Sequence, residues 1–140
     1  MQRFVLDSSV ILKWLDQKNE ERVRESEVLL KELVVNKIEV RVPELAKYEI
    51  GNTLLLKKQL TFDQVWEVFN FLYGLPIKFI SETKELASLT YKFGQEWKMT
   101  YYDAAFVALA KLTGATLVTD NPKHQAQVKG VKVIALENYK

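Results

Sequence analysis

Short apolar segments of strand length alternate with longer segments of helical periodicity along the chain. This alternation predicts β-α-β units, and because their crossovers are right-handed, they give a parallel sheet with helices on both faces. The predicted strands are residues 3–6, 38–42, 75–79, 115–119 and 131–135. The predicted helices are residues 10–15, 20–35, 44–58, 61–73, 82–98 and 100–113, with a short helix after Asn121-Pro122. The sequence therefore predicts an α/β fold, a three-layer α/β/α sandwich with a central, mainly parallel sheet of about five strands.

Length and residue types narrow the class of protein. The chain has 140 residues, and we interpret residues 1–140 as one domain. No stretch reaches the roughly 18 apolar residues of a membrane span, and Asp7 comes too early for a signal peptide, so we expect a cytoplasmic protein. There is no cysteine, and His124 is the one histidine, which excludes thiolate chemistry and a two-histidine nuclease. We interpret His124 as a solvated turn residue, so carboxylates are the expected chemistry of an enzyme.

Two aspartates follow predicted strands. Asp7 ends the strand at residues 3–6, and Asp120 follows the strand at residues 115–119. In open α/β sheets, ligands bind outside the carboxyl ends of the strands, so both side chains point to the usual site. Each also has a plainer interpretation, because Asp7 could simply cap the helix that follows it and Asp120 could form an Asx turn.

Two further acids lie on the inward, apolar faces of predicted helices. A helical wheel places Glu49 and Asp103 beside apolar side chains, where a charge costs several kcal/mol unless it is paired or bound to a metal. Each acid also has an explanation without a metal. Glu49 could pair with a lysine such as Lys47, and Asp103 could belong to a capping box that begins at Thr100.

Taken together, the four acids indicate a metal site. They include three of the five aspartates in the chain. Four converging carboxylates would repel one another and raise one another's pKa values, whereas Mg²⁺ or Mn²⁺ would keep them ionised. Magnesium binds a few carboxylates, keeps waters and takes its other oxygens from phosphate. The pattern therefore predicts a metal-dependent phosphodiesterase site.

Four segments that carry these acids resemble, in the same order along the chain, the PIN-domain family, and within it the VapC-type ribonuclease toxins of VapBC toxin-antitoxin systems. The segments are Phe4-Val5-Leu6-Asp7-Ser8-Ser9-Val10, Val42-Pro43-Glu44-Leu45-Ala46-Lys47-Tyr48-Glu49-Ile50-Gly51-Asn52, Tyr102-Asp103-Ala104-Ala105-Phe106-Val107-Ala108-Leu109-Ala110 and Leu117-Val118-Thr119-Asp120-Asn121. The resemblance spans nearly the whole chain and implies a single PIN-like nuclease domain.

The resemblance implies an endoribonuclease that hydrolyses RNA phosphodiester bonds with Mg²⁺ or Mn²⁺ and serves as the toxin of a type II toxin-antitoxin system. It implies that Asp7, Glu49, Asp103 and Asp120 form the catalytic acidic quartet. Asp7 and Asp103 are expected to bind the metal directly, and Glu49 and Asp120 partly through water.

The resemblance also implies neighbouring groups and partners. Ser9 and Thr119 would support the metal ligands or contact phosphate, although each is equally explained as a turn hydroxyl. Asn121 departs from relatives that carry a further acid at this place, which puts a second metal in doubt. The expected partners are the RNA substrate, a VapB-like antitoxin lying across the groove and a second copy in a homodimer, with no membrane.

Other functions fit less of the sequence. A non-catalytic PIN-like domain that binds RNA or protein has mild support from Asn121, but the complete quartet argues against it. A Mg²⁺-binding phosphoacceptor domain would carry paired acids after its first strand, whereas Asp7 is followed by Ser8-Ser9. A haloacid-dehalogenase-like phosphatase would need a second aspartate two positions after Asp7.

Two surface properties complete the prediction. Residues 61–73 contain five of the 16 aromatic side chains, and we expect most of them in the core. Phe71 lies about 180° from Phe62 on a helical wheel, so some of the rings should reach a partner surface. Setting the four acids aside from the 18 leaves 14 acids against 20 Lys and Arg, so the rest of the surface is predicted to be basic, as RNA binding requires.

Overall fold

Five parallel strands form the central sheet of the computed structural model, which describes residues 1–139. The strands are β1 (Gln2–Leu6), β2 (Ile38–Pro43), β3 (Ile77–Ile80), β4 (Thr116–Thr119) and β5 (Val133–Ala135). Their order in the sheet is β3-β2-β1-β4-β5. Phe4 of β1 is in register with Val40 of β2 on one side and with Thr116 of β4 on the other. The predicted α/β sheet is confirmed, and every strand pair in it is parallel.

The helices follow the predicted segments with small changes at their ends. They are α1 (Ser8–Leu15), α2 (Val23–Val34), α3 (Leu45–Thr53), α4 (Phe62–Gly74), α5 (Lys84–Trp97), α6 (Tyr101–Thr113) and the short α7 (Pro122–Gln125). Thr61 and Gln64 form the expected capping box of α4, and Gly114 ends α6 in the left-handed conformation that favours glycine. None of the helices in residues 1–139 is long and apolar enough to cross a membrane.

The strand order places the helices in two layers. The chain moves from β1 through β2 to β3 in one direction, and then crosses back to β4 and β5 on the other side of β1. Because such crossovers are right-handed, α1 to α4 cover one face of the sheet and α5 to α7 cover the other. The contacts agree, since α1 packs against α2, α3 and α4, whereas α6 packs against α5 and α7. The three-layer α/β/α sandwich is therefore confirmed.

Helix α6 is the most deeply buried helix of the fold. Every side chain from Ala104 to Ala110 is buried, and α6 contacts β1, β2 and β4 at the centre of the sheet. Its alanines allow this close approach, and an apolar surface around the whole helix is expected for a buried one. Asp103 lies immediately before this run, so its position relative to the sheet is fixed by core packing.

Two predicted helices differ from the structure at the end that faces the candidate site. The segment predicted as one helix over residues 44–58 changes from α-helix to π-helix at Leu54, and the π-helix continues to Lys58. The segment predicted to begin a helix at residue 20 becomes helical only at Val23, because Asn19 and Arg22 adopt left-handed backbone conformations. Both departures direct charged side chains toward the carboxyl edge of the sheet.

The expectation that most aromatic side chains of residues 61–73 are core residues is wrong. Phe62 is 76% exposed, Trp66 is 57% exposed and Tyr73 is 55% exposed, and Phe71 is also exposed. Leu72 is the buried side chain of α4. The reason is the position of α4, which packs mainly against α1 rather than against the sheet and therefore buries only a narrow stripe.

Candidate active site

The candidate site lies where the strand order reverses. Strands β1 and β4 are neighbours, but the chain leaves them toward opposite sides of the sheet, which opens a crevice between their carboxyl ends. Asp7 follows β1 and Asp120 follows β4. The backbone N–H of Asp7 donates to the carbonyl of Val118 at 3.0 Å and so continues the parallel ladder into the crevice.

Asp7 is both a helix cap and a site residue. Its Oδ2 accepts hydrogen bonds from the backbone N–H of Ser9 at 3.1 Å and from Ser9 Oγ at 2.7 Å, so the capping interpretation is correct. Its Oδ1 accepts from Gln125 Nε2 at 3.5 Å. Burial raises the pKa of Asp7, the Ser9 hydrogen bonds oppose this shift, and the charge of Asp103 adds to it. Capping therefore leaves the carboxylate in an unfavourable electrostatic environment.

Glu49 comes from α3 to the same place. Its Oε1 accepts a hydrogen bond from Ser8 Oγ at 2.8 Å. Burial is the main cause that raises the pKa of Glu49; the Ser8 hydrogen bond lowers it, and the charges of Asp7 and Asp103 raise it further. The alternative partner Lys47 instead binds Glu44, at 3.0 Å.

Asp103 approaches from α6 on the opposite layer. Its backbone N–H donates to Thr100 Oγ1 at 3.1 Å, which is one half of a capping box. Among residues 1–139, its carboxylate makes no hydrogen bond back to Thr100, so the second half does not form. The side chain is therefore left to contribute its charge to Asp7 and Glu49.

We refer to Asp7, Glu49 and Asp103 as the acidic centre. No ion pair between described residues includes any of the three. Within the same part of the chain, no three His, Asp or Glu side chains are already arranged to hold a metal ion. The acidic centre is thus a group of neighbouring, uncompensated carboxylates rather than a preformed cage.

Asp120 has different partners from the other three acids. Arg22 donates to both of its carboxylate oxygens, from Nε at 2.5 Å and from the second guanidinium nitrogen at 3.2 Å. Lys13 Nζ lies 3.0 Å from its Oδ2. Burial opposes ionisation of Asp120, but the hydrogen bonds from Arg22 and Lys13 outweigh it and lower the pKa of the carboxyl.

The ion pairs around Asp120 continue away from the site. The Lys13 side chain is only 2% exposed, and its Nζ also lies 3.0 Å from Glu20 Oε1. The other oxygen of Glu20 binds Lys58 Nζ at 2.8 Å, and Lys58 also donates to the carbonyl of Lys18. We call Lys13, Glu20, Arg22, Lys58 and Asp120 the cation clamp. The structure therefore separates the predicted quartet into three uncompensated acids and one that is neutralised by the protein.

The two predicted supporting hydroxyls have unequal roles. Ser9 Oγ donates to Asp7 and accepts from the backbone N–H of Asp120 at 3.3 Å, so it joins the acidic centre to the cation clamp. Thr119 Oγ1 accepts from the N–H of Asn121 at 3.2 Å, which is the contact of a turn hydroxyl. His124 is exposed, as predicted.

Three contacting residues were not expected from the sequence. Gln125 is 2% exposed and joins two acids, since its Nε2 also donates to the backbone carbonyl of Asp103 at 3.1 Å. Lys13 and Arg22 hold Asp120. A lysine within the apolar segment Val10 to Leu15 was the available signal for Lys13, because an inward lysine needs an acid. The sequence has no comparable signal for Gln125 in the short α7 or for Arg22 in the loop before α2.

The donor chemistry of the acidic centre suits a hard divalent cation. The three side chains offer carboxylate oxygens, which are the ligands of Mg²⁺ and Mn²⁺ in proteins. Their burial and mutual repulsion raise the pKa values of Asp7 and Glu49, and a cation placed among them would reverse this effect. The residues present therefore fit a metal ion that completes the charge balance.

Comparisons with known proteins bear on the family and the fold of the chain. The model of the PIN domain family matches residues 4–130. The chain is similar in structure to VapBC2 from Rickettsia felis, which was solved bound to a DNA fragment from the promoter, with a TM-score of 0.74, 13% identity and coverage of 96% of this chain and 98% of that one. It is also similar to FitAcB from Neisseria gonorrhoeae, with a TM-score of 0.74, 17% identity and coverage of 96% and 99%.

A third similar structure is the toxin VapC20 from Mycobacterium tuberculosis, described as cleaving the sarcin-ricin loop. Its TM-score is 0.67, with 12% identity and coverage of 89% of this chain and 94% of that one. At these identities the similarity concerns the fold. No curated protein matches the chain in sequence.

The substitution Asp7→Asn should stabilise the protein in the absence of divalent metal. Asparagine retains the cap but removes a buried, repelled charge. In the folded protein, the pKa of Asp7 lies above its ordinary value of 3.8, so ionisation of Asp7 lowers the free energy of unfolding. This loss develops only as the pH rises above 3.8. Thermal melts in EDTA should therefore show a gain in Tm at pH 7 that disappears near pH 4. An exposed control, Asp63→Asn, should show no such pH-dependent gain, and an unchanged or lower Tm for Asp7→Asn at pH 7 would contradict the prediction.

The substitution Asp120→Asn should have the opposite sign. It leaves the buried Lys13 ammonium with Glu20 as its one charged partner and replaces the two-oxygen anionic acceptor of Arg22 by a neutral amide with a single oxygen. We therefore expect it to cost on the order of 2 kcal/mol of unfolding free energy. Urea denaturation at pH 7 in EDTA measures this cost directly. A stability equal to or above that of the wild type would show that the cation clamp does not stabilise the fold.

Proposed function

Because the chain belongs to the PIN domain family, we propose that it is a Mg²⁺- or Mn²⁺-dependent endoribonuclease that hydrolyses RNA phosphodiester bonds. We further propose that it acts in the cytoplasm as the toxin of a type II toxin-antitoxin pair. The observation that carries the proposal is the acidic centre, in which the cap residue of α1 and one acid each from α3 and α6 are neighbours without a protein cation. The similar toxin that cleaves the sarcin-ricin loop supports RNA as the substrate.

In this proposal, Asp7, Glu49 and Asp103 hold the metal ion. Bound there, the ion supplies the positive charge that the acidic centre lacks and that a phosphodiester needs in order to approach it. Ser9 fixes Oδ2 of Asp7, and Ser8 fixes Oε1 of Glu49. Among the described residues, the second oxygen of Glu49 accepts no hydrogen bond, and that of Asp7 accepts only the long one from Gln125. Gln125 Nε2 bridges Asp7 and the backbone carbonyl of Asp103.

Asp120 has a different part in the proposed site. Its oxygens are engaged by Arg22 and Lys13, so its contribution is to anchor these cations beside the crevice. A role for Asp120 as a water-mediated metal ligand remains a prediction from the family resemblance. Thr119, which holds the turn after β4, supports the position of Asp120.

The proposed partners are a VapB-like antitoxin and a second copy of the chain. Similar structures include VapBC2 from Rickettsia felis and FitAcB from Neisseria gonorrhoeae, which supports an antitoxin partner. The exposed rings of α4 offer the apolar surface that such a contact buries. The basic excess outside the four acids supports an RNA substrate.

Cleavage of RNA should require both the metal and the acidic centre. We expect a labelled pool of structured RNA to be cut in Mn²⁺ or Mg²⁺ and to remain intact in EDTA. Asp7→Asn and Asp103→Asn should each lower the rate by at least about 100-fold, and Asp63→Asn should retain the wild-type rate. Gel electrophoresis of the products measures all arms. Cleavage that survives EDTA and both substitutions would refute the assignment, whereas metal-dependent RNA binding without cleavage would favour the non-catalytic alternative.

Metal binding should also be visible as a gain in stability. At 100 times its Kd, an ion that binds only the folded state stabilises it by about 2.7 kcal/mol. Adding Mn²⁺ to metal-free protein should raise the Tm of the wild type and of Asp63→Asn, and should raise that of Asp103→Asn much less. Equal increases in all three proteins would mean that Asp103 does not bind the ion.

A further inference from the structure

The two sides of the crevice carry opposite net charge. The acidic centre has three carboxylates, and none of them belongs to an ion pair between described residues. The cation clamp has three cations against two acids, which leaves a formal charge of +1. Ser9 Oγ contacts both Asp7 and the backbone N–H of Asp120, so the two groups are neighbours. Fixed cations of the protein therefore lie beside the acids that are proposed to hold a metal ion.

These cations engage both carboxylate oxygens of Asp120. Its Oδ1 accepts from Arg22 Nε at 2.5 Å. Its Oδ2 accepts from the second guanidinium nitrogen at 3.2 Å and lies 3.0 Å from Lys13 Nζ. Mg²⁺ binds carboxylate oxygens at about 2.1 Å, so an ion on Asp120 would approach two positive charges closely. Because the Asp120 side chain is only 12% exposed, water screens this repulsion poorly, and Asp120 is a poor ligand for a divalent ion.

The fold holds both cations in place. The Lys13 side chain is buried, and its ammonium lies 3.0 Å from one acid on either side. Arg22 is 31% exposed, but it precedes α2 in a left-handed conformation that directs its side chain to the crevice. Lys58 donates to the carbonyl of Lys18, and Lys18 Nζ donates to that of Lys58 at 3.0 Å, which ties the loop before α2 to the end of the π-helix. The positions of the cations therefore depend on the packing of the loop, not on the side chains alone.

The other acids near Arg22 lie in solvent. Glu21 pairs with Arg22 at 3.2 Å, but its side chain is exposed, and water and salt screen such a pair. Glu137 acts on Arg22 from a greater distance and is also exposed. Asn121, which follows Asp120, is neutral, so this turn adds no second carboxylate. The positive charge of the cation clamp is thus retained at the crevice.

We propose that the cation clamp takes the place of a second divalent ion, with Arg22 as the residue that excludes it, so that the crevice binds one metal ion in the acidic centre. The proposal rests on the proposed function and adds the number of ions and a role for Arg22. Three carboxylates can balance one divalent ion, whereas two such ions carry more positive charge than the acidic centre has negative charge. Asp120 then holds the two cations, in place of the water-mediated metal contact that the family resemblance implies.

Counting bound Mn²⁺ tests the proposal without any cleavage. Metal-free protein is titrated with Mn²⁺ in about 0.15 M KCl, which screens exposed acids, and the free ion is measured by its electron paramagnetic resonance signal. The wild type should bind roughly one ion per chain. Two ions on the wild type would overturn the proposal. Because this count needs no variant, it decides the question even if a substituted protein does not fold.

Arg22→Gln should admit a second ion. The substitution frees Oδ1 of Asp120 and lowers the formal charge of the cation clamp from +1 to zero. The second ion should be lost again in Arg22→Gln/Asp120→Asn, and Arg22→Lys, which keeps the positive charge, should bind one ion. The matched control is Arg24→Gln, at an exposed arginine of α2 that forms no ion pair between described residues and should bind one ion. A single ion on Arg22→Gln with a wild-type circular dichroism spectrum would overturn the role of Arg22.

The count of ions and the cleavage assay fail independently. One ion on the wild type and two on Arg22→Gln, without cleavage of RNA in Mn²⁺, would support the cation clamp and refute the proposed function. Cleavage that requires Mn²⁺, together with two ions on the wild type, would refute the role of the cation clamp alone. A wild type that binds no Mn²⁺ would contradict both.

Discussion

The parallel pairing of β1 with β4 determines where the chemistry of this protein can lie. These strands are distant in sequence, and their pairing brings the residues that follow each of them to one crevice. The hydrogen bond from the Asp7 N–H to Val118 extends the pairing by one residue and fixes the start of α1 against β4. Ser9 then contacts both Asp7 and the backbone of Asp120. The pairing of the strands therefore determines the geometry of the site, and the loops contribute only the side chains that surround it.

The charges in this crevice are balanced in two different ways. On the Asp120 side, the protein supplies its own cations, because Lys13 is buried in α1 and Arg22 reaches in from the loop before α2. On the Asp7 side, the acids of α3 and α6 add negative charge without a protein counter-ion. A buried charge must be neutralised, protonated or bound. On the Asp120 side, the cations of the protein neutralise the acid. Binding of an external cation is therefore most favourable on the Asp7 side.

The sequence predicted the fold well because its apolar periodicity and capping residues act locally. The inward positions of Glu49 and Asp103 were also predictable, since they follow from helical geometry alone. The partners of Asp120 were not predictable from local patterns, because Arg22 lies 98 positions away in sequence and is placed by a left-handed loop residue. The exposed rings of α4 escaped prediction for a related reason. Their burial depends on whether the helix packs against the sheet or against another helix, and the sequence of the helix does not specify this.

The change from α-helix to π-helix at Leu54 connects the two halves of the site. Lys58 turns inward and completes the chain of ion pairs through Glu20 and Lys13 to Asp120. This anchoring leaves the adjacent Lys57 exposed on the outer side, where it lines one cleft with Glu49 and another with Asp120. The position of the exposed lysine is therefore set by the buried one, and the buried one is set by the acid that follows β4.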